Sequence, residues 1–84
     1  MTANYMSTER KNMDHIDRIK AAREDHDESQ RDLAKVLEMP QSQYQKYEAK
    51  INALPIRQLI KICKHYNISA DYLLGLPQNL EWPR

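Results

Sequence analysis

The sequence is poor in the residues that build sheets, disulfides and membrane spans. It has one glycine, no phenylalanine and few runs of β-branched residues, which argues against a β-sheet. Its single cysteine cannot form an internal disulfide, which fits the reducing cytoplasm. It contains no long apolar run, so we expect neither a membrane span nor a signal peptide. Together these absences predict an all-α cytoplasmic protein.

The chain also lacks the patterns that catalytic and metal sites require. His15, His26 and His65 are far apart, and none forms a two-histidine helical pattern with a carboxylate. No glycine-rich phosphate loop is present. We therefore expect no enzyme activity, no metal site and no cofactor.

The charges nearly cancel over the whole chain but not along it. The 84 residues are enough for one domain, and 13 basic residues against 12 acidic ones give a net charge of +1. Any affinity for nucleic acid must therefore come from local clustering. An acidic run covers residues 24–28, whereas residues 41–66 carry one acid, Glu48, and five bases: Lys46, Lys50, Arg57, Lys61 and Lys64. The acidic run is expected to face away from DNA or to limit affinity, and the basic half suits a DNA-facing surface.

The most informative stretch covers residues 30–49, QRDLAKVLEMPQSQYQKYEA. It predicts two short helices joined by a tight turn, because side chains three or four positions apart share a helix face. Leu33, Ala34 and Leu37 form one apolar face, and Tyr44 and Tyr47 form another. This spacing is typical of a helix-turn-helix, in which the first helix braces the second against the DNA major groove. Short amphipathic helices also occur in any small bundle, so a purely structural interpretation stays open.

Capping and breaking residues predict the remaining boundaries. Asp14 caps a first helix that ends near Asp25, and Ser29 starts a second that ends near Leu37. A third helix follows Pro40 and has no side-chain cap at its start. Pro55 begins a fourth, and Ser69 caps a short fifth helix, ADYLL, which Gly75 closes. The predicted organisation is a flexible arm over 1–13, a domain over 14–75 and a tail over 76–84.

The fourth helix is predicted to bury a broad apolar face. Its members are Ile56, Leu59, Ile60, Ile62, Cys63 and Tyr66. Gln58 is expected to lie off that face, together with the basic residues of the helix. Cys63 is interpreted as a small buried hydrophobic residue rather than a nucleophile.

Over residues 14–75 the chain resembles the Xre family, the helix-turn-helix domain of Cro and phage repressors. The segment SQRDLAKVLEMPQSQYQKYE is similar to the family pattern SQxxLAxxLGVSxxTISxWE. The segment PIRQLIKICKHYNISADYLLG is similar to the family's fourth and fifth helices. The resemblance implies a five-helix, lambda-repressor-like domain with short tails at both ends. The chain departs from the pattern at Glu38, where the family has glycine, at residues 27–28, where it has Gly-Leu, and at residues 51–53, where relatives often have basic residues.

The resemblance also implies roles for individual residues. The residues expected to read base edges are Gln41, Ser42, Gln43, Gln45 and Lys46. Those expected to contact phosphate are Gln30, Lys50 and Arg57. Arg23 and Glu48 occupy the positions of an ion pair between the first and third helices, and we expect that pair to be partly buried.

Two hypotheses for function follow. The first is a small bacterial or phage transcriptional regulator, expected to be a repressor, that binds a double-stranded DNA operator as a homodimer. The surface expected to join the dimer is the fifth helix with the tail through Trp82, although the tail could equally fold onto its own domain. The second hypothesis is a protein-binding module such as an antitoxin, whose tails, including Leu80 and Trp82, fold on a partner protein.

Overall fold

A computed structural model describes residues 13–76, which form five α-helices and no β-strand within that range. The helices are α1 (His15–Asp25), α2 (Gln30–Val36), α3 (Gln41–Glu48), α4 (Ile56–Tyr66) and α5 (Ala70–Leu74). The predicted all-α, helix-turn-helix class is therefore confirmed. The predictions made for the N-terminal arm and for Leu80 and Trp82 lie outside the described residues.

Side chains cap three of the helix starts as the sequence predicts. Asp14 caps α1 and Ser29 caps α2, each in a reciprocal capping box with the acidic residue three positions later. Ser69 caps α5 by accepting from the backbone N–H of Tyr72. The starts of α3 and α4 follow Pro40 and Pro55, and no side chain of residues 13–76 caps either one. Within that range, the first two N–H groups of each of these helices therefore have no protein hydrogen-bond partner.

Each helix is followed, one or two positions after its last residue, by a residue in the left-handed conformation. Only Gly75 is a glycine there; the others, Asp27, Glu38, Lys50 and Asn67, have φ between 55° and 62°. The backbone N–H of the next residue then bonds to a carbonyl five positions back, as from Ile51 to Lys46 at 2.9 Å. A side chain costs roughly 1–2 kcal/mol in this conformation, less for Asn and Asp. At Gly75 a Cβ atom would also lie 2.7 Å from Arg18 Nη1, so a larger residue there would displace α1's arginine.

The core lies where the five helices meet. Its fully buried members include Ile19 of α1, Leu33 of α2, Tyr44 of α3, Ile62 of α4 and Leu73 of α5. Ala34 is buried in the same cluster, and Met39 packs against it from the turn between α2 and α3. Apolar residues from every helix thus fix the helix-turn-helix on a single core.

The prediction of a broad apolar face on α4 is wrong at three residues. Ile56 and Ile60 are 67% and 48% exposed, whereas Gln58 is only 8% exposed. Successive residues turn by about 100° around a helix, which places Ile56 and Ile60 more than about 90° from the fully buried Ile62 but Gln58 only about 40° from it. The helix therefore packs through a narrow stripe that includes Leu59, Ile62 and Tyr66. Gln58 is drawn into the core by its position, and its Oε1 atom has no hydrogen-bond partner among the described residues.

Candidate nucleic-acid interface

The outward face of α3 is made entirely of polar side chains. Tyr44 and Tyr47 are buried and turn the opposite face of the helix toward the core. The residues left exposed include Gln41, Ser42, Gln43, Gln45 and Lys46, all five that the sequence assigns to base contacts. Amide, hydroxyl and ammonium groups can hydrogen-bond to base edges and phosphates, and no carboxylate in this set would repel DNA.

Among residues 13–76, Gln43 differs from the other four in that its side chain forms a hydrogen bond. Its Nε2 atom donates to the Tyr47 hydroxyl at 3.4 Å, which is a long hydrogen bond. So weak a contact leaves the amide available for exchange with another partner. The structure thus places all five residues on one continuous exposed surface, with Gln43 at the edge nearest the core.

A buried network holds the C-terminal end of α3 against α1 and α2. Glu48 accepts four hydrogen bonds, from Arg23 Nε at 2.8 Å, Arg23 Nη2 at 3.1 Å, the Tyr44 hydroxyl at 2.6 Å and Gln30 Nε2 at 3.0 Å. Arg23 Nη1 also donates to the carbonyl of Glu28 at 2.7 Å. The side chains of Arg23 and Glu48 are 9% and 4% exposed. Because each charge is both paired and hydrogen-bonded, the network fixes where α3 points.

The protonation of this network follows from the same contacts. Burial alone would raise the pKa of Glu48, but the hydrogen bonds from Arg23, Tyr44 and Gln30 outweigh it and lower that pKa below its ordinary value. The hydrogen bonds to Glu48 likewise raise the pKa of Arg23 against the effect of burial. Burial and the neighbouring carboxylate raise the pKa of Tyr44, which keeps its hydroxyl protonated as a donor. The charged pair is therefore the stable state of the network at neutral pH.

The three residues assigned to phosphate contacts lie in different environments. Gln30 is half-buried at the first position of α2, and its amide is already engaged with Glu48. Arg57 is exposed near the start of α4 and forms no ion pair within residues 13–76. Lys50 follows α3, and its ammonium lies 3.1 Å from both Asp14 Oδ2 and Asp17 Oδ1 at the start of α1.

These contacts also shift the pKa values of Lys50 and Asp14. The hydrogen bonds to Asp14 and Asp17 raise the pKa of Lys50. Burial works against ionisation of Asp14, but hydrogen bonds from Asp17 and Lys50 prevail and lower its pKa. One lysine and two aspartates give this group of side chains one formal net negative charge.

Sequence reasoning missed a contact between the acidic run and the end of α4. The Glu28 carboxylate accepts from the Tyr66 hydroxyl at 2.7 Å and lies 2.9 Å from His65 Nε2. His26 stacks on the Tyr66 ring with the ring centroids 4.7 Å apart. Burial raises the pKa of Glu28, but the hydrogen bonds from Tyr66 and His65 prevail and lower it. Since the partners are 37 and 38 residues apart, no local pattern could have revealed the pair.

The comparison with known protein families agrees with the fold described above. A family model described as helix-turn-helix matches residues 19–73, which run from the middle of α1 through α5. No curated protein and no solved structure shows significant similarity to the chain. None of the helices within residues 13–76 is long and apolar enough to cross a membrane.

Proposed function

The chain belongs to the helix-turn-helix family of Cro and the phage repressors, the Xre family, and from this we propose that it represses transcription by reading a DNA operator with α3. Membership makes it a DNA-binding regulator; the choice of α3 as the reading helix rests on its surface. The observation that carries the proposal is an exposed face of five polar side chains without a carboxylate. An α-helix fits the major groove, where glutamine and lysine side chains distinguish base pairs.

The buried network supports this assignment by orienting the helix. Glu48 closes α3 and is held by Arg23 of α1 and Gln30 of α2. A reading helix must present its side chains in a fixed position, because base contacts depend on hydrogen-bond geometry. The network supplies that fixed position from two neighbouring helices.

Contacts to the DNA backbone are proposed for the residues around α3. Arg57 is exposed at the second position of α4 and supplies a charge that can pair with phosphate. The N-termini of α3 and α4, which no side chain of the described range caps, offer N–H groups of the kind that bind phosphate. Gln30 would reach phosphate with its amide only by sharing or giving up its bond to Glu48.

We propose further that the protein binds as a homodimer in the cytoplasm. One domain offers few contacts, and two copies on one duplex double them. The surface proposed to join the copies is α5 and the residues after it, where Tyr72, Leu74 and Leu76 are exposed. A two-fold dimer would place its half-sites about one helical turn apart, roughly 34–36 Å.

A binding selection from random duplex DNA with the purified full chain tests the proposal. It should return one preferred sequence with two related half-sites. Gln41→Ala and Lys46→Ala should then weaken binding to that duplex, while Lys20→Ala, which removes an exposed lysine of α1, should not. Sedimentation on the selected duplex should show two copies bound. A chain that selects no sequence, or variants of α3 that match the Lys20 control, would contradict the proposed reading helix.

One observation favours a second candidate function. Ile56 and Ile60 lie one turn apart on α4 and are largely exposed, which is unusual for isoleucine. A protein-binding module, such as an antitoxin, would cover such residues with its partner. A chain that selects no DNA sequence but forms a stoichiometric complex with the product of a neighbouring gene would support this alternative. Ile60→Lys should then weaken that complex without unfolding the domain.

A further inference from the structure

We infer that Asp14 and Asp17 restrain DNA binding by holding the Lys50 ammonium. A DNA phosphate must displace both carboxylates before Lys50 contributes to affinity. We call these three residues the Lys50 clamp. The inference rests on the proposed function and adds a limit on affinity that is built into the same surface. Lys50 lies beside the reading helix and carries a positive charge, but its two aspartate partners leave little of that charge available to DNA.

The backbone of Lys50 is fixed to α3, whereas its side chain is attached to α1. Its N–H donates to the carbonyl of Tyr47 at 3.0 Å, and the next N–H donates to the carbonyl of Lys46 at 2.9 Å. From this position the ammonium lies 3.1 Å from Asp14 Oδ2 and 3.1 Å from Asp17 Oδ1. The clamp therefore lies directly beside the last turn of the proposed reading helix.

The clamp changes the sign of the charge that an approaching phosphate meets. Two carboxylates outweigh one ammonium, so this corner carries one net negative charge instead of one positive charge. Surface ion pairs are weak because water screens them and holding long side chains together costs entropy. The side chains of Lys50, Asp14 and Asp17 are 48%, 44% and 35% exposed, so phosphate can compete for the ammonium. The outcome is restraint of binding rather than a block.

Each aspartate both takes part in the capping box of α1 and pairs with Lys50. Asp14 Oδ1 caps α1 by accepting from the N–H of Asp17, while Oδ2 faces Lys50. Asp17 Oδ2 accepts from the N–H of Asp14 and also from the Lys50 ammonium at 3.3 Å, while Oδ1 lies 3.1 Å from the same ammonium. The capping box needs only one acceptor oxygen from each side chain, and asparagine supplies one. Asparagine substitutions therefore keep the cap and remove the charge that holds Lys50.

The test compares Asp14→Asn/Asp17→Asn with the control Asp25→Asn/Asp27→Asn. Both double variants remove two negative charges, but Asp25 and Asp27 lie at the far end of α1 and form no ion pair within residues 13–76. Dissociation constants are measured on the duplex selected by the wild-type chain, between about 50 and 200 mM salt. The clamp variant should bind about threefold to tenfold more tightly than the control, with a salt slope steeper by about 0.9, as for one added phosphate contact.

Substitution of Lys50 shows whether the gain passes through the lysine. Lys50→Gln should remove most of the gain from the clamp variant but change wild-type affinity less than twofold or so. Circular dichroism checks that each variant is folded. Should the double variant fail to fold, Asp17→Asn alone leaves the Asp14 cap intact and should show a smaller gain of the same kind.

Three results would overturn the inference. One is a clamp variant that binds no more tightly than the control, which would mean that the clamp only joins α1 to α3. Another is a gain that survives Lys50→Gln, which would mean general repulsion by the aspartates rather than capture of the lysine. The third is that Lys50→Gln weakens DNA binding by the wild-type chain as much as it weakens DNA binding by the clamp variant. A wild-type chain that selects no duplex would instead contradict the proposed function.

Discussion

Within residues 13–76, the Arg23–Glu48 pair and the Lys50 clamp both join α1 to the end of α3, and they differ chiefly in their exposure to water. Arg23 and Glu48 are 9% and 4% exposed, whereas Lys50 and Asp14 are 48% and 44% exposed. On the α3 side the two pairs are only two residues apart. The distances between the charged atoms are similar, 2.8 Å and 3.1 Å. Distance alone therefore does not tell which pair fixes the structure.

The surroundings of each pair tell the two roles apart. The Glu48 carboxylate is satisfied by four hydrogen bonds in a site that excludes water, so losing a partner leaves a charge stranded. Lys50, Asp14 and Asp17 can replace their contacts with one another by contacts with water at little cost in free energy. The first pair is suited to hold the reading helix, and the second is suited to yield to a ligand.

The largest expected effect comes from breaking the buried pair. Arg23→Met should lower the free energy of unfolding by about 3–5 kcal/mol, because Glu48 would keep its charge without its main partner. Glu48→Gln should be costly for the converse reason, and the double variant should lose much less than the sum. Urea unfolding of the four proteins measures this coupling. If the losses in the free energy of unfolding are small and additive, Arg23 and Glu48 do not form a buried pair and are as exposed to water as Lys50.

The pH dependence of stability separates the two pairs by a second route. Because the pKa of Glu48 is lowered in the folded chain, its contribution is fully present above its ordinary value of 4.5. That contribution is lost as the pH falls through the lower folded value. The stability difference between wild type and Glu48→Gln should therefore shrink on acidification below about pH 4.5. A difference that stays constant down to pH 2 or so would contradict the lowered pKa.

A smaller effect is expected at the exposed pair. Lys50→Gln should change the free energy of unfolding only slightly, and the change should fade in about 1 M salt. Lys50→Gly loses the same ion pair but relieves a left-handed residue with φ 62°. Thermal unfolding should therefore find the glycine variant at least as stable as the glutamine variant. The opposite order would mean that the left-handed backbone at position 50 costs a side chain less than the glutamine side chain contributes there.

Local chemistry made the helices predictable from sequence, whereas contacts between distant residues were not. Asp14, Ser29 and Ser69 predicted three helix starts because a capping side chain acts on its own backbone. Pro40 and Pro55 predicted the other two starts for an equally local reason. The apolar face of α4 was wrong because hydrophobicity alone does not tell which flank of a helix meets a neighbour.

The candidate site divides in the same way. The outward polar face of α3 followed from the spacing of Tyr44 and Tyr47, since a buried pair three residues apart sets which side is exposed. The Lys50 clamp joins residues 33 and 36 positions apart and has no periodic pattern. The left-handed conformation at Lys50 was equally hidden, because lysine ordinarily avoids it. Long side chains reach across the fold in ways that only the packed structure reveals.

The central claim is that α3 reads base pairs while its neighbours hold the backbone, and binding to single-base-pair variants of the selected duplex tests it most directly. Gln41→Ala should weaken binding by about 1–3 kcal/mol and lose discrimination at a particular base pair. Arg57→Ala should weaken binding to all sequences alike and reduce the salt slope by about 0.9. If Gln41→Ala instead keeps the full discrimination of the wild-type chain at every base pair, and Lys46→Ala does the same, α3 is not the reading helix.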